Sequence, residues 1–431
     1  MSRTAYINAR LLDPAGGRDE AGALLVEDGT IADIGPSLFS DGVPDGIETV
    51  DCAGHILTPG LIDMRVSTGE PGTEYRETLG SASQSAAAGG VTTIIVMPNT
   101  APVIDDVALV DFVERRARDT AIVNVHPMAA LTRGCAGEQM TEIGLLKEAG
   151  AVAFTDGDRP LTNPLVMRRI LSYATFFDAL IVQHAVDLQL SAGGVMNEGE
   201  LASRLGLSGA PALAETIMIE RDLRLVELTG ARYHVAQVTC KASVDVVRRA
   251  KAAGLPVTCG VSAPHLTLNE NDVASYRTFM KLDPPLRHED DRMAVVEGLA
   301  DGTIDVIVSS HDPQDPETKR LPFDKAAFGA VGLETLLPAA LSLVHAGTAP
   351  LERVIDAMTA KPAALLDLDA GRLDKGAPAD LTLIDLNSPW VLDPETLKSK
   401  SKNTPYDERR FQGRAMRTIV GGKPVHVLGE N

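Results

Sequence analysis

Cysteine is scarce in this chain and never paired. Cys52, Cys135, Cys240 and Cys259 are the whole complement. No two of them stand as Cys-x-x-Cys, so neither a zinc knuckle nor a disulfide framework is indicated. They read as buried or idle thiols. Also missing is any uninterrupted apolar run near the roughly 20 residues that cross a bilayer. The opening stretch Met-Ser-Arg-Thr-Ala-Tyr-Ile-Asn lacks the apolar core of a secretory signal. The expectation is a soluble, cytoplasmic protein. Positive charge is short as well: 40 Lys and Arg face 59 Asp and Glu, a net charge of -19. Such a surface repels polyphosphates and anionic lipid, which argues against nucleic-acid and membrane partners. Low-complexity tracts and internal repeats are absent too.

What is present is enough apolar residue to build a large core. At 431 residues and 44% hydrophobic content, the chain can form one barrel plus a smaller domain. From about residue 58, short β-branched runs alternate with segments of helical spacing, the rhythm of βα units. A strand near Leu61 is followed by strand candidates at Val91 to Met97, Ala121 to Val125, Ala151 to Thr155, Ala179 to Gln183, Arg232 to Val238, Pro256 to Val261 and Ile304 to Ser309. That makes eight, the number that closes a parallel barrel. Helices are expected between them, for example Tyr75 to Ala88 before Gly89-Gly90 and Asp245 to Ala253 before Gly254. The ends of the chain differ. Leu24 to Ile31 reads as a hairpin with an Asp28-Gly29 turn, and Asp380 to Asp385 and Arg417 to Val425 repeat that style. The expected fold class is therefore α/β: a (β/α)8 TIM-like barrel over residues 58–368, with a small composite β-sandwich from residues 1–57 and 369–431.

The stretch Gly60-Leu61-Ile62-Asp63-Met64-Arg65-Val66-Ser67-Thr68-Gly69-Glu70-Pro71-Gly72 carries the clearest signature. It resembles the first barrel strand of the dihydroorotases, a family of the amidohydrolase superfamily. In that family an Asp-x-His-x-His run supplies two imidazoles to zinc, and an Arg before Glu-Pro-Gly holds the substrate carboxylate. Here those places read Arg65, Ser67 and Gly69. A guanidinium keeps its proton and has no lone pair to give, a neutral hydroxyl is a poor zinc ligand, and glycine offers nothing. The likeness extends along the chain through Met97-Pro98-Asn99-Thr100, Ala153 to Asp156, Met196 to Gly199, Lys281 to Arg287, Phe328 to Thr335 and Ser401 to Pro405.

Carried over position by position, the resemblance keeps two ligand places, Asp156 and His184. The next ligand histidine falls on Gln237. His234, three residues earlier, is expected to face the other side of the barrel wall. The family's Asp-His-Ala-Pro-His segment falls on Ser310-His311-Asp312-Pro313-Gln314, so the general-base place is Ser310 and the closing histidine is Gln314. Asn99 matches a carboxylate-contacting position whose partner arginine is Gly69, and an acid, Asp283, replaces a substrate-facing asparagine. His265 sits in the counterpart of another family loop.

A catalytic zinc usually has three protein ligands plus water, and at most two remain. Asp156 reads as a vestigial ligand, a residual metal site or a polar strand end. Arg65 is expected to stand in for the ion and to pair with Asp156. His311 and Asp312 leave open a rewired zinc site to which only one of them could contribute. The resemblance thus implies a dihydroorotase-like protein of pyrimidine synthesis, without cofactor and catalytically inactive. Noncatalytic members of the family are structural partners of aspartate transcarbamoylase, which makes a homo- or hetero-oligomer the expected state. The competing expectation is an active dihydroorotase or related cyclic amidohydrolase with an atypical zinc site.

Overall fold

The structure, a computed structural model, describes residues 3–430. Five strands come first: β1 (Arg3–Asp13), β2 (Arg18–Glu27), β3 (Thr30–Gly35), β4 (Glu48–Asp51) and β5 (Ile56–Pro59). The β2–β3 turn is the Asp28-Gly29 pair, with both residues at positive φ, the geometry that lets a two-residue loop follow the strand twist. Only Gly60 separates β5 from the barrel. Any Cβ there would fall 2.0 Å from the Thr92 hydroxyl, so the crossing demands glycine.

The barrel strands are β6 (Leu61–Val66), β7 (Val91–Val96), β8 (Asn124–Ala129), β9 (Ala153–Phe154) and β10 (Ile181–Gln183). A small parallel pair outside the barrel, β11 (Met196–Asn197) and β12 (Gly209–Ala210), precedes β13 (Tyr233–Val235), β14 (Val257–Ser262) and β15 (Val306–Val308). The eight barrel strands pair in parallel in chain order. The ring is completed between its ends by a parallel bridge from Val66 to His311 and by Ser67 N–H donating to the His311 carbonyl at 2.8 Å. Strand alternation sorts the side chains. Ile94 and Ile307 pack outward against the helices, while Ile95, Val306 and Val308 join Met64, Met128, Val182 and Ala236 inside the barrel.

The chain ends in β16 (Leu381–Val391), β17 (Arg410–Val420) and β18 (Lys423–Val427). These return to the first sheet, whose order is β18-β17-β16-β5-β1-β2-β3 with β4 beside β1. Its own core includes Tyr6, Leu11, Leu24, Ile31, Leu57, Leu381 and Ile419. The fold class is the expected one, a mixed α/β barrel carrying a small β-domain assembled from both ends. Among the described residues no helix is long and apolar enough to cross a membrane.

Two expectations shift. The third barrel strand lies later than the apolar run Ala121 to Val125, because it includes Pro127, which has no N–H for a ladder and so breaks the pattern; the Pro127 carbonyl still accepts from Val152 N–H at 3.1 Å. The first barrel helix starts at Leu79 rather than Tyr75. Thr78 takes the cap, with its hydroxyl accepting from Ser81 N–H in a reciprocal capping box.

Candidate functional site

At the C-terminal ends of the barrel strands, where loops of this architecture carry chemistry, a cavity of about 240 Å3 is lined by Arg65, Ser67, Asp158, Gln237, Ser310 and Asp312, among others. It adjoins a wider cleft of about 870 Å3, which holds His184, Lys281 and Arg287 and shares Asp158, Asp283 and Phe328 with it. Arg65, Ser67, Gln237, Ser310 and His184 therefore gather at this mouth, whereas Asp156, Asn99 and Gly69 line neither cavity.

Arg65, at the end of β6, is 6% exposed. One guanidinium nitrogen donates to Asp158 Oδ1 at 2.5 Å, and Asp158 also receives Asn99 Nδ2 at 3.0 Å. This corrects the expected pairing with Asp156. That carboxylate turns to the neighbouring loop and accepts from Thr132 N–H at 2.9 Å and Thr132 Oγ1 at 2.5 Å. Burial raises the Asp156 carboxyl above its usual range, against those hydrogen bonds. The strand ends at Phe154, and Gly157 at φ 70° turns the chain, delivering Asp158 to the mouth in its place. Asn99, expected to touch substrate, spends its amide on Asp158.

His184 is buried and faces Asp283, Nε2 to Oδ2 at 3.5 Å. Gln237 is 2% exposed and donates from Nε2 to Ser310 Oγ at 2.8 Å. Ser310 holds a positive φ of 53°, uncommon for a residue with a Cβ. His234 corrects a second expectation. Its strand ends at Val235, and His234 pairs in register with the interior Val182, so its ring lies inside the barrel, with Nδ1 2.8 Å from Thr258 Oγ1. Burial, then Lys251 and Arg65, push its imidazole down to about 3. His265 is likewise structural, hydrogen-bonded to Ser262 Oγ and the Pro284 carbonyl, with its pKa pushed down to about 4, chiefly by burial.

His311 and Asp312 diverge, as strand alternation requires. Asp312 enters the cavity, where burial and then the Asp158 charge push its carboxyl up to about 7. His311 turns to the fully buried Glu77, 3.4 Å from Nε2 to Oε2, and its Nδ1 accepts from Gly332 N–H. That acceptance places the ring proton on Nε2, facing the carboxylate. Glu77 also takes the hydroxyls of Ser81 and Ser399 and the Lys400 N–H, while Glu334 accepts from Ser85 Oγ and from Lys398 and Ser399 N–H. The buried Glu77 and the half-buried Glu334 thus clasp segment 398–400 beside the junction of the first and last barrel strands. Burial acts to raise the Glu77 carboxyl, but His311 and the serines outweigh it and hold it low. Gln314 is pinned nearby, its N–H reaching Asn403 Oδ1 at 3.3 Å.

The residues present do not fit a zinc ion of the implied kind. A dication at this place would meet the Arg65 guanidinium, while Ser67, Gln237, Ser310 and Gln314 bring no anionic or imidazole donor. Asp156 and His184 are committed to Thr132 and Asp283. Among the described residues no three His, Cys, Asp or Glu side chains gather as a cation site. The arginine place is closed outright: a Cβ on Gly69 would lie 1.9 Å from the Thr73 carbonyl oxygen.

A family model described as Dihydro-orotase-like matches residues 54–243, and one described as Amidohydrolase family matches residues 344–426. The dihydroorotase of Wolbachia sp. subsp. Brugia malayi is 47% identical over 98% of this chain and 96% of its own length. That of Pelobacter propionicus is 45% identical over 97% and 98%. Among solved structures, L-hydantoinase (dihydropyrimidinase) from Arthrobacter aurescens is 27% identical with a TM-score of 0.90, covering 100% of this chain and 97% of that one. Dihydropyrimidinase from Brevibacillus agri gives 0.85 at 20% identity over 99% and 95%, a likeness of fold alone.

Proposed function

Because this chain belongs to the dihydroorotase family, we propose that it serves pyrimidine synthesis with the family's barrel but without its zinc-dependent hydrolysis, as a structural partner of aspartate transcarbamoylase in a mixed oligomer. The observation that carries the noncatalytic part is Arg65, buried at the metal's place and ion-paired to Asp158. Protein purified without added metal is expected to hold far less than one zinc per chain after dialysis against chelator and to leave dihydroorotate unchanged. About one retained zinc per chain would remove this reading.

The partner rests on the resemblance and on the contrast between an intact scaffold and a dismantled site. Copurification with the organism's own aspartate transcarbamoylase from native extract is the expected outcome, with transcarbamoylase activity falling when the chain is deleted. A bound partner also stabilises the folded form by mass action. Separate elution of the two mixed proteins at micromolar concentration, with unchanged activity in the deletion strain, argues the other way.

A second reading has its own observation. Relatives at 47% and 45% identity over nearly the whole chain are each called dihydroorotase, which favours an active cyclic amidohydrolase with an atypical zinc site. Turnover of dihydroorotate that follows zinc content across metal-stripped and reloaded samples is the result this reading requires.

A further inference from the structure

A helix on the outside of a barrel normally shows its polar side to solvent. The helix Leu213–Thr229 departs from that pattern, because Leu213, Ile217 and Leu228 are 56%, 40% and 63% exposed. Steps of three or four residues link Leu213, Ile217, Glu220, Arg224 and Leu228, so all five share one outward face. Beside that face, against the next helix, Lys241–Ala252, runs a furrow of about 540 Å3 whose lining includes Leu223, Val246, Ala250 and Leu255. It shares no lining residue with the two cavities at the barrel mouth. Exposed apolar side chains beside an apolar furrow mark a surface for another protein.

Charge selects the occupant. The whole chain carries -19, so two copies repel across most of their surfaces. Along the furrow the signs balance instead: Arg221, Arg224 and Arg249 stand against Glu220, Glu227 and the buried Asp222, which Arg221 contacts at 2.7 Å. Their order also fits a two-fold axis. Glu220 precedes Asp222 by two residues and Arg224 follows it by two. When two such helices lie antiparallel and cross at Asp222, each Glu220 stands level with the second copy's Arg224, and each Ile217 within about 1.5 Å of the level of the second copy's Leu228. Within one chain the same charges have solvent-open partners, Glu220 with Arg249 at 3.7 Å and Arg224 with Glu227 at 3.2 Å. Such pairs are worth little and are readily exchanged.

We propose that the outward face of helix Leu213–Thr229, with its furrow, is a two-fold docking surface for a second copy of this chain, joined by reciprocal Glu220–Arg224 pairs and by Ile217 against Leu228. This goes beyond both functional readings and depends on neither, since the purified chain alone is enough to test it.

Sedimentation velocity of the full chain between about 1 and 100 µM is the measurement, with a dimer of dissociation constant about 10 µM or tighter expected. Under the two-fold axis a single charge reversal sets like against like twice. Glu220→Arg and Arg224→Glu should therefore each weaken the dimer by about tenfold or more, and the two together, which restore opposite charges, should return it to within about threefold of the unaltered protein. Both positions are solvent-exposed, so the variants are expected to melt as folded proteins. A chain that stays monomeric at about 100 µM, single variants that dimerise like the unaltered protein, or a double variant no tighter than the singles would each overturn the proposal. The first of these results would leave the face to a different protein.

Discussion

Gly69→Arg is expected to give insoluble or poorly folded protein rather than a restored carboxylate anchor. A Cβ at this position lies 1.9 Å from the Thr73 oxygen, 2.5 Å from the Thr73 carbon and 2.9 Å from the Glu77 oxygen. These are backbone atoms, which cannot swing away as the end of a flexible side chain can. The loop is also closed on itself, with Gly69 N–H donating to the Glu77 carbonyl at 2.9 Å and Thr73 N–H to the Gly69 carbonyl at 2.5 Å. Overpacking of this kind costs about 1–3 kcal/mol where neighbours can yield and more where they cannot. Even Gly69→Ala should therefore lose about 3 kcal/mol or more in denaturant unfolding. An arginine variant that melts like the unaltered protein would show that residues 69–77 can open and that the anchor's place is merely empty.

The stability advantage of the unaltered protein over His234→Gln is expected to shrink as the medium is acidified. The His234 imidazole is buried neutral with its pKa pushed down to about 3, against an ordinary value of 6.5. Below 6.5 the unfolded chain binds a proton that the folded one refuses. Unfolding is therefore favoured as pH falls, whereas above 6.5 the stability is fully kept. Glutamine does not titrate, so the comparison isolates this one group from acids such as Asp63 and Asp312, whose raised pKa values act in the opposite sense. At about 1.4 kcal/mol per pH unit, the difference between the two proteins should change by about 2 kcal/mol between pH 6.5 and 5. Urea unfolding of both at pH 7.5, 6.5 and 5 measures it. A difference independent of pH would mean that the ring is solvated.

Much of the barrel could be read directly because its strands are short apolar runs that follow a helix-stopping glycine, as Val91 to Val96 follows Gly90 and Val257 to Ser262 follows Gly254 by three residues. Pairing at the mouth was less legible. Pattern reasoning carried Asp156 over as the counter-charge, but a strand that stops at Phe154 and a left-handed Gly157 hand that role to Asp158. The glycine was the available signal. Likewise, the alternation argument for His234 assumed a strand running through Gln237, and the strand ends two residues earlier. The closure at Gly69 depends on a backbone approach from Thr73 and Glu77 that no side-chain pattern records. The clasp on Glu77 and Glu334 joins residues hundreds of positions apart, beyond the reach of any local period.

That clasp sets an order of events during synthesis. The hydroxyl of Ser399 reaches a carboxylate 322 residues upstream, and Leu381 pairs with Pro59 across a similar span. Translation of that intervening length takes on the order of tens of seconds. Until then the first barrel helix carries at its base an acid, Glu77, that still lacks its far partners, and the amino-terminal sheet has an open edge along β5. Neither domain can therefore be finished before the other: both wait for the same late segment, which brings β16 to the open edge of β5 and Ser399 to Glu77.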